Sequence, residues 1–187
     1  MKTQPDPLPI GAQAPAFDLE GTDGRRHRLE HFAAELFVYV QACNHCPYVV
    51  ANVDRLTQLA RTFAGRADFV FVNSNDADTY PDDGPEAMRV FAEQHGLPFP
   101  YLRDPDQSVA QAYRTQRTPE VLVFDRQRSL RYHGRIDDSP KDPDAVTEET
   151  LRTAMETMLA GRPVAEPETF AMGCTAKWKP GNVPEVG

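Results

Sequence analysis

Cys43-Asn44-His45-Cys46 sets two thiols apart by two residues, a spacing that can close a small disulfide ring and open it again. Such a pair performs disulfide exchange: one thiolate attacks a disulfide sulfur, and the second thiol releases the partner. Further along, Arg117-Thr118-Pro119-Glu120-Val121-Leu122-Val123-Phe124-Asp125 joins a Thr-Pro pair to an apolar run. A cis bond at Pro119 would present the backbone of Thr118 beside the thiolate. An extended substrate could then pair with it as a short added strand. The alternative is a trans proline that merely starts a strand; the cysteine pair favours the cis form.

These residues need elements to hold them. Leu36-Phe37-Val38-Tyr39-Val40 is a continuous apolar run, as in a buried parallel strand, and leads directly to the cysteines. Val49, Val53, Leu56, Ala60 and Phe63 recur at steps of four and three, which predicts a helix from near Cys43 to Gly65. Pro47 fits such a helix only close to its start. Phe69 to Val72 reads as a second buried strand, and Met88 to His95 as a helix closed by Gly96. Ser108 to Tyr113 forms a short helix. Val121 to Phe124 and Ser129 to Tyr132 pair as strands, and Leu151 to Leu159 forms a last helix. Ala16 to Leu19 and His27 to Leu29 flank a turn at Gly21-Thr22-Asp23-Gly24 and predict a hairpin. The stretch up to about Pro9 is proline-rich and expected to be loose. Right-handed crossovers would place the first two buried strands in parallel and the last pair antiparallel. The expected fold is α/β: three layers, a central mixed sheet flanked by helices, an N-terminal hairpin and a C-terminal tail. The domain would span 1–162, with the tail 163–187 packed on it.

At 187 residues the chain can build one sizeable core, and its formal charge of −8 disfavours nucleic acid or an anionic membrane as partner. No apolar run is long enough to span a bilayer, and the N-terminus lacks the apolar core of a signal peptide. A cytoplasmic location follows as the expectation. Three cysteines are too few for a stapled secreted scaffold, and in a reducing compartment they point to catalysis or metal binding.

With these residues in view, the chain resembles the thioredoxin superfamily, and within it the peroxiredoxin-like, alkyl hydroperoxide reductase-like branch. The likeness is carried by Cys43-Asn44-His45-Cys46-Pro47-Tyr48-Val49 and by Asn73-Ser74-Asn75-Asp76 with Tyr80-Pro81. Tyr132-His133-Gly134-Arg135-Ile136-Asp137-Asp138 and Met172-Gly173-Cys174-Thr175-Ala176-Lys177-Trp178-Lys179 extend it over nearly the whole chain. The resemblance implies a thioredoxin-like fold and thiol redox chemistry. A peroxiredoxin carries Thr or Ser three residues before its peroxide-reactive cysteine. Here that position holds Cys43 relative to Cys46, and Val40 relative to Cys43. Thioredoxin has a buried acid just before its first cysteine, whereas Leu36 to Gln41 holds none. Proton management must come from elsewhere.

Cys43, at a strand end and helix N-terminus, is expected to be the acidic, attacking thiol, and Cys46 the buried, less acidic, resolving one. Positive charge on His45 would stabilise the thiolate and raise the reduction potential. Disulfide isomerases and strong periplasmic oxidants place a histidine here, at about −180 and about −120 mV against about −270 mV for thioredoxin. A site more oxidising than thioredoxin is expected. Cys174 has two readings: a third redox thiol on a tail folded back to the site, or a small buried side chain anchoring the tail beside Trp178. Asp76, Asp78 and Tyr80 could relay protons from the strand end beside the cysteines. Glu35 reads as a surface residue, His133 and Asp137-Asp138 as a strand end and a solvated turn, and His95 as a helix-end cap.

The first functional reading is a thiol–disulfide oxidoreductase acting in redox homeostasis, with Cys43 and Cys46 catalytic, His45, Thr118 and Pro119 tuning or binding, and no cofactor. Its partners would be protein or small-molecule disulfides and thiols, and the protein a monomer or homodimer. The alternative is a thiol peroxidase reducing hydroperoxides. A metal module using Cys43, Cys46 and a histidine stands third, because no second close pair completes a tetrahedral site and His45 is expected to point away from the thiols. A non-catalytic interaction domain stands last.

Overall fold

The structure, a computed structural model, describes residues 6–184. The strands are β1 (Asp18–Gly21), β2 (Arg26–Arg28), β3 (Leu36–Gln41), β4 (Ala67–Asn73), β5 (Tyr101–Arg103), β6 (Arg117–Thr118), β7 (Glu120–Phe124), β8 (Leu130–Gly134) and β9 (Cys174–Thr175). The helices are α1 (Pro47–Thr62), α2 (Pro85–Gln94), α3 (Ser108–Tyr113) and α4 (Thr150–Leu159). Seven strands form one mixed sheet in the order β2-β1-β5-β4-β3-β7-β8. The centre is parallel (β3 with β4, β4 with β5), and β7 runs antiparallel to both β3 and β8.

Every residue of β3 and β7 is buried, which is why both read as unbroken apolar runs rather than alternations. Alternate residues serve opposite faces. Leu36, Val38 and Val40 pack with side chains of α1, α2 and α4, while Phe37 and Tyr39 pack with Val109 and Tyr113 of α3 and with Leu8, Phe17 and Phe32. Tyr39 and Tyr113 stack at 4.1 Å in that second core. Leu8 is therefore packed, not loose, and Gly11 donates to the Leu130 carbonyl at 2.8 Å. Residues 1–5 of the stretch expected to be loose lie outside the described residues.

Three further strands were not legible in the sequence. Three-residue β5 is hemmed by Pro100 and Asp104, too short to show a period. The two-residue strands β6 and β9 pair antiparallel, Arg117 with Thr175 and Thr118 with Cys174, and bring the tail back onto the body. Helix α1 begins at Pro47, with Cys46 as its N-cap, rather than near Cys43. Proline at the first helical position explains this, since its missing N–H is not needed there. That shift of a few residues has a chemical consequence.

Candidate active site

The site forms where the C-terminal ends of β3 and β4 meet the N-terminal end of β7. Gln41 is registered with both Val72 and Glu120, so Cys43, two residues past Gln41, and Thr118, two before Glu120, emerge at the same edge. The Cys43 Sγ lies 3.3 Å from the Thr118 hydroxyl. The Cys46 Sγ lies 3.0 Å from the Thr118 carbonyl, to which its thiol form donates. The Thr118–Pro119 peptide is cis. Glu120 holds the turn that precedes it, accepting from the Gln116 and Arg117 amides at 2.7 and 2.9 Å. Its other oxygen meets His133 Nε2 at 2.6 Å. His133 and Asp137 are thus buried partners rather than a bare strand end and a solvated turn; Asp137 pairs with Arg55.

Cys174 also arrives here. Its Sγ is 2.8 Å from that of Cys46, and its strand lies opposite Thr118. Gly173 permits this approach, because a Cβ there would sit 2.3 Å from the Thr118 carbonyl oxygen. The tail thus brings the Cys174 sulfur against the Cys46 sulfur. The backbone edge of Thr118, expected to be free for an extended substrate, is already taken by β9.

The buried acid absent from Leu36 to Gln41 is Asp83, which the sequence reading did not single out. Its side chain is fully buried and meets His45 Nδ1 at 2.7 Å. It accepts from the Asn44 amide at 2.7 Å, from Asn75 Nδ2 at 2.7 Å and from Asn73 Nδ2 at 3.3 Å. Asn44 is fixed in turn, donating to the Asp82 carbonyl and accepting from the Tyr101 hydroxyl, both within 2.8 Å. Asp83 explains why the loop between the cysteines carries Asn and His. Asp76 and Asp78 do not line the thiols: Asp76 accepts from Thr79 and its amide holds the Lys177 carbonyl, while Asp78 pairs with Lys179. The Tyr80 ring stacks on His45 at 5.7 Å.

Charge is distributed differently from the expectation. The Cys43 thiol is pushed far up, first by donating its hydrogen bond to Cys46, then by burial and by the Asp83 carboxylate. The Cys46 thiol is pulled well down, chiefly by the hydrogen bond from Cys43, with Cys174 adding another; burial works against this. The Thr118 carbonyl also opposes a Cys46 anion. Two thiol donors and the start of α1 outweigh it. The hydrogen bond between the two thiols and the start of α1 at Pro47 favour an anion at Cys46, and burial and Asp83 disfavour one at Cys43, the opposite direction from the one expected. Any positive charge on His45 faces the Asp83 carboxylate at 2.7 Å, which removes the ground for expecting a site more oxidising than thioredoxin.

His45 does not point away from the thiols. Cys43, His45 and Asp83 bring one ligand atom each within 4.8 Å of one another. The Asp83 oxygens, however, already accept from several protein donors, so a cation would have to displace them.

The AhpC/TSA family profile matches residues 10–133, which carry the cysteine pair and Pro119. The chain belongs to the AhpC/TSA family. A relative with this chemistry in its name, "Putative peroxiredoxin Rv2521" of Mycobacterium tuberculosis H37Rv, is 32% identical over 108 residues. That match covers 57% of this chain and only 64% of the relative. The crystal structure of an uncharacterized conserved protein from Geobacillus kaustophilus superposes with a TM-score of 0.88 at 44% identity, covering 92% of this chain and 94% of that one. The thioredoxin domain of a thiol-disulfide oxidoreductase from Bacteroides vulgatus superposes at 0.62 with 15% identity, over 81% of this chain and 98% of that one. This AhpC/TSA protein thus has a thioredoxin-like fold and is peroxiredoxin-like in family. No helix among the described residues is long and apolar enough to cross a membrane.

Proposed function

We propose that the protein is a thiol–disulfide oxidoreductase that works by closing and opening a Cys43–Cys46 disulfide. The observation that carries this reading is the placement of both thiols at Thr118, with Cys46 at the start of α1 and 3.0 Å from the Thr118 carbonyl and Cys43 3.3 Å from the Thr118 hydroxyl. In the reduced protein Cys46 holds the negative charge and Cys43 the proton. Cys46 takes up the disulfide by exchange, and Cys43 then attacks the Cys46 sulfur to close the ring. The electron donor is a thiol reductant, and no cofactor takes part. The polar network around Asp83 holds Asn44 and His45 of the loop between the cysteines.

Reduction of a test disulfide by excess dithiol checks this. Cys46→Ser should abolish turnover, and Cys43→Ser should stop it after one exchange. Turnover at the unmodified rate in either variant would overturn the reading. A thiol peroxidase is the second reading, favoured by family membership and by the Thr118 hydroxyl beside Cys43. That hydroxyl comes from the opposite loop rather than from three residues upstream. Peroxide consumption with excess thiol that clearly exceeds that of a cysteine-free variant would support it.

A further inference from the structure

Cys43 and Cys46 are 1% and 0% exposed, whereas Cys174 is only half-buried. The pair that holds the electrons is therefore sealed, and the accessible thiol is the one on the tail. We propose that Cys174 is the shuttle cysteine of a three-thiol relay, exchanging with the outside disulfide and passing it to Cys46 and then to Cys43. This rests on the dithiol reading above and adds the route into it.

Three observations carry it. The Cys46 and Cys174 sulfurs are 2.8 Å apart, against about 2.05 Å in a formed disulfide, so the bond needs a shift of less than about 1 Å. Cys46 meets Cys174 and shares Thr118 with Cys43, whose sulfur lies 3.3 Å from the Thr118 hydroxyl. The tail is held in this place by more than one strand pair. The Ala176 amide donates to the Gln116 carbonyl at 2.8 Å, the Lys177 amide to Asn75 Oδ1 at 2.9 Å, and the Lys179 amide to Gln107 Oε1 at 2.8 Å. A tail needed only for packing would not require a sulfur at the residue registered with Thr118.

The exchange balances as follows. Cys174 attacks the substrate disulfide, and its proton passes to the leaving thiolate. A bond forms between Cys174 and one substrate sulfur while the substrate S–S bond breaks. The Cys46 thiolate then attacks Cys174, forming the Cys46–Cys174 bond and expelling the second substrate thiolate. Cys43 gives its proton to that thiolate and attacks Cys46. The Cys43–Cys46 bond forms, the Cys46–Cys174 bond breaks, and Cys174 leaves as a thiolate. One substrate disulfide is reduced to two thiols and the pair is oxidised to one disulfide. A dithiol reductant resets it by the reverse route. The exposed Phe170 and Met172, 65% and 49% accessible on the same segment, suit the disulfide of a partner polypeptide.

The test uses the full chain, reduced, with insulin as probe, quenched by acid and mapped by mass spectrometry. Cys46→Ser should trap insulin on Cys174, and Cys43→Ser should accumulate the Cys46–Cys174 disulfide with insulin released. Cys174→Ser should slow insulin reduction at least about tenfold while its Cys43–Cys46 disulfide still forms in oxidised glutathione. Cys174→Ala is the second variant and should behave alike. Unslowed insulin reduction in both Cys174 variants, or insulin trapped on Cys43 in Cys46→Ser, would overturn the relay and leave the dithiol reading standing. Absence of any Cys43–Cys46 disulfide in the unmodified protein would sink that reading and the relay with it.

Discussion

The Asp83 carboxylate, after the hydrogen bond to Cys46 and burial, opposes an anion at Cys43, although it lies forty positions past Cys43 in the chain. Asp83→Asn removes the carboxylate that opposes an anion at Cys43 and frees any positive charge on His45. The thiols should become more acidic and the reduction potential should rise, as measured by equilibration with glutathione; an unchanged or lower potential would contradict this. The same change disturbs donors now shared with Asn44, Asn73 and Asn75, at a cost of ~1–3 kcal/mol in urea unfolding. The Cys46 shift also sets a pH dependence. Its folded value lies below the ordinary thiol value of about 8.5, so its stabilisation is fully present above that value and lost as pH falls through the depressed one. Thiolate absorbance should therefore persist well into the acid range, vanish in Cys46→Ser, and titrate at higher pH in Cys43→Ala, which lacks the main donor. The cysteines, Thr118 and Pro119 were legible in the sequence because their types and spacing are themselves the signal. Asp83 was not, since Pro81-Asp82-Asp83 looks like any acidic turn until β4 and α2 fold it against the Cys loop.

Among the elements, α1 and β9 matter most to the site. The periodicity of α1 was plain, yet its first turn was placed at Cys43. Pro47 already held the correction: a proline at the first helical position makes the preceding residue the N-cap, and that residue is Cys46. The two-residue strand β9 carried no sequence signal, because its pairing partner lies more than fifty residues away and its position depends on Gly173. Gly173→Ala should lift it, since the added Cβ would meet the Thr118 carbonyl. Alkylation of Cys46 and Cys174 should accelerate by about tenfold or more, corresponding to ~1.4 kcal/mol of lost docking, with the circular dichroism spectrum retained. Unchanged alkylation rates would mean that β9 does not guard the thiols.

For the whole molecule, the long apolar runs and helix periods were enough to read the α/β layers, because β3, β4 and β7 are buried on both faces and α1, α2 and α4 each bury one stripe. At the N-terminus the prolines suggested looseness, but among the described residues of that stretch Leu8 is buried in the second core. Leu56→Ala, at a fully buried position of α1, should cost ~2–5 kcal/mol of stability while leaving the order of thiol acidities unchanged. A changed order would show that the core, rather than Asp83 and the start of α1, sets the charge.

The most direct test of the dithiol account is a redox titration of the unmodified protein in glutathione buffers, with alkylation and peptide mapping at each point. The account requires a reversible Cys43–Cys46 disulfide that titrates as a single two-electron couple. Oxidation that leaves Cys43 reduced throughout, or that stops at a sulfenic acid without closing the ring, would contradict it.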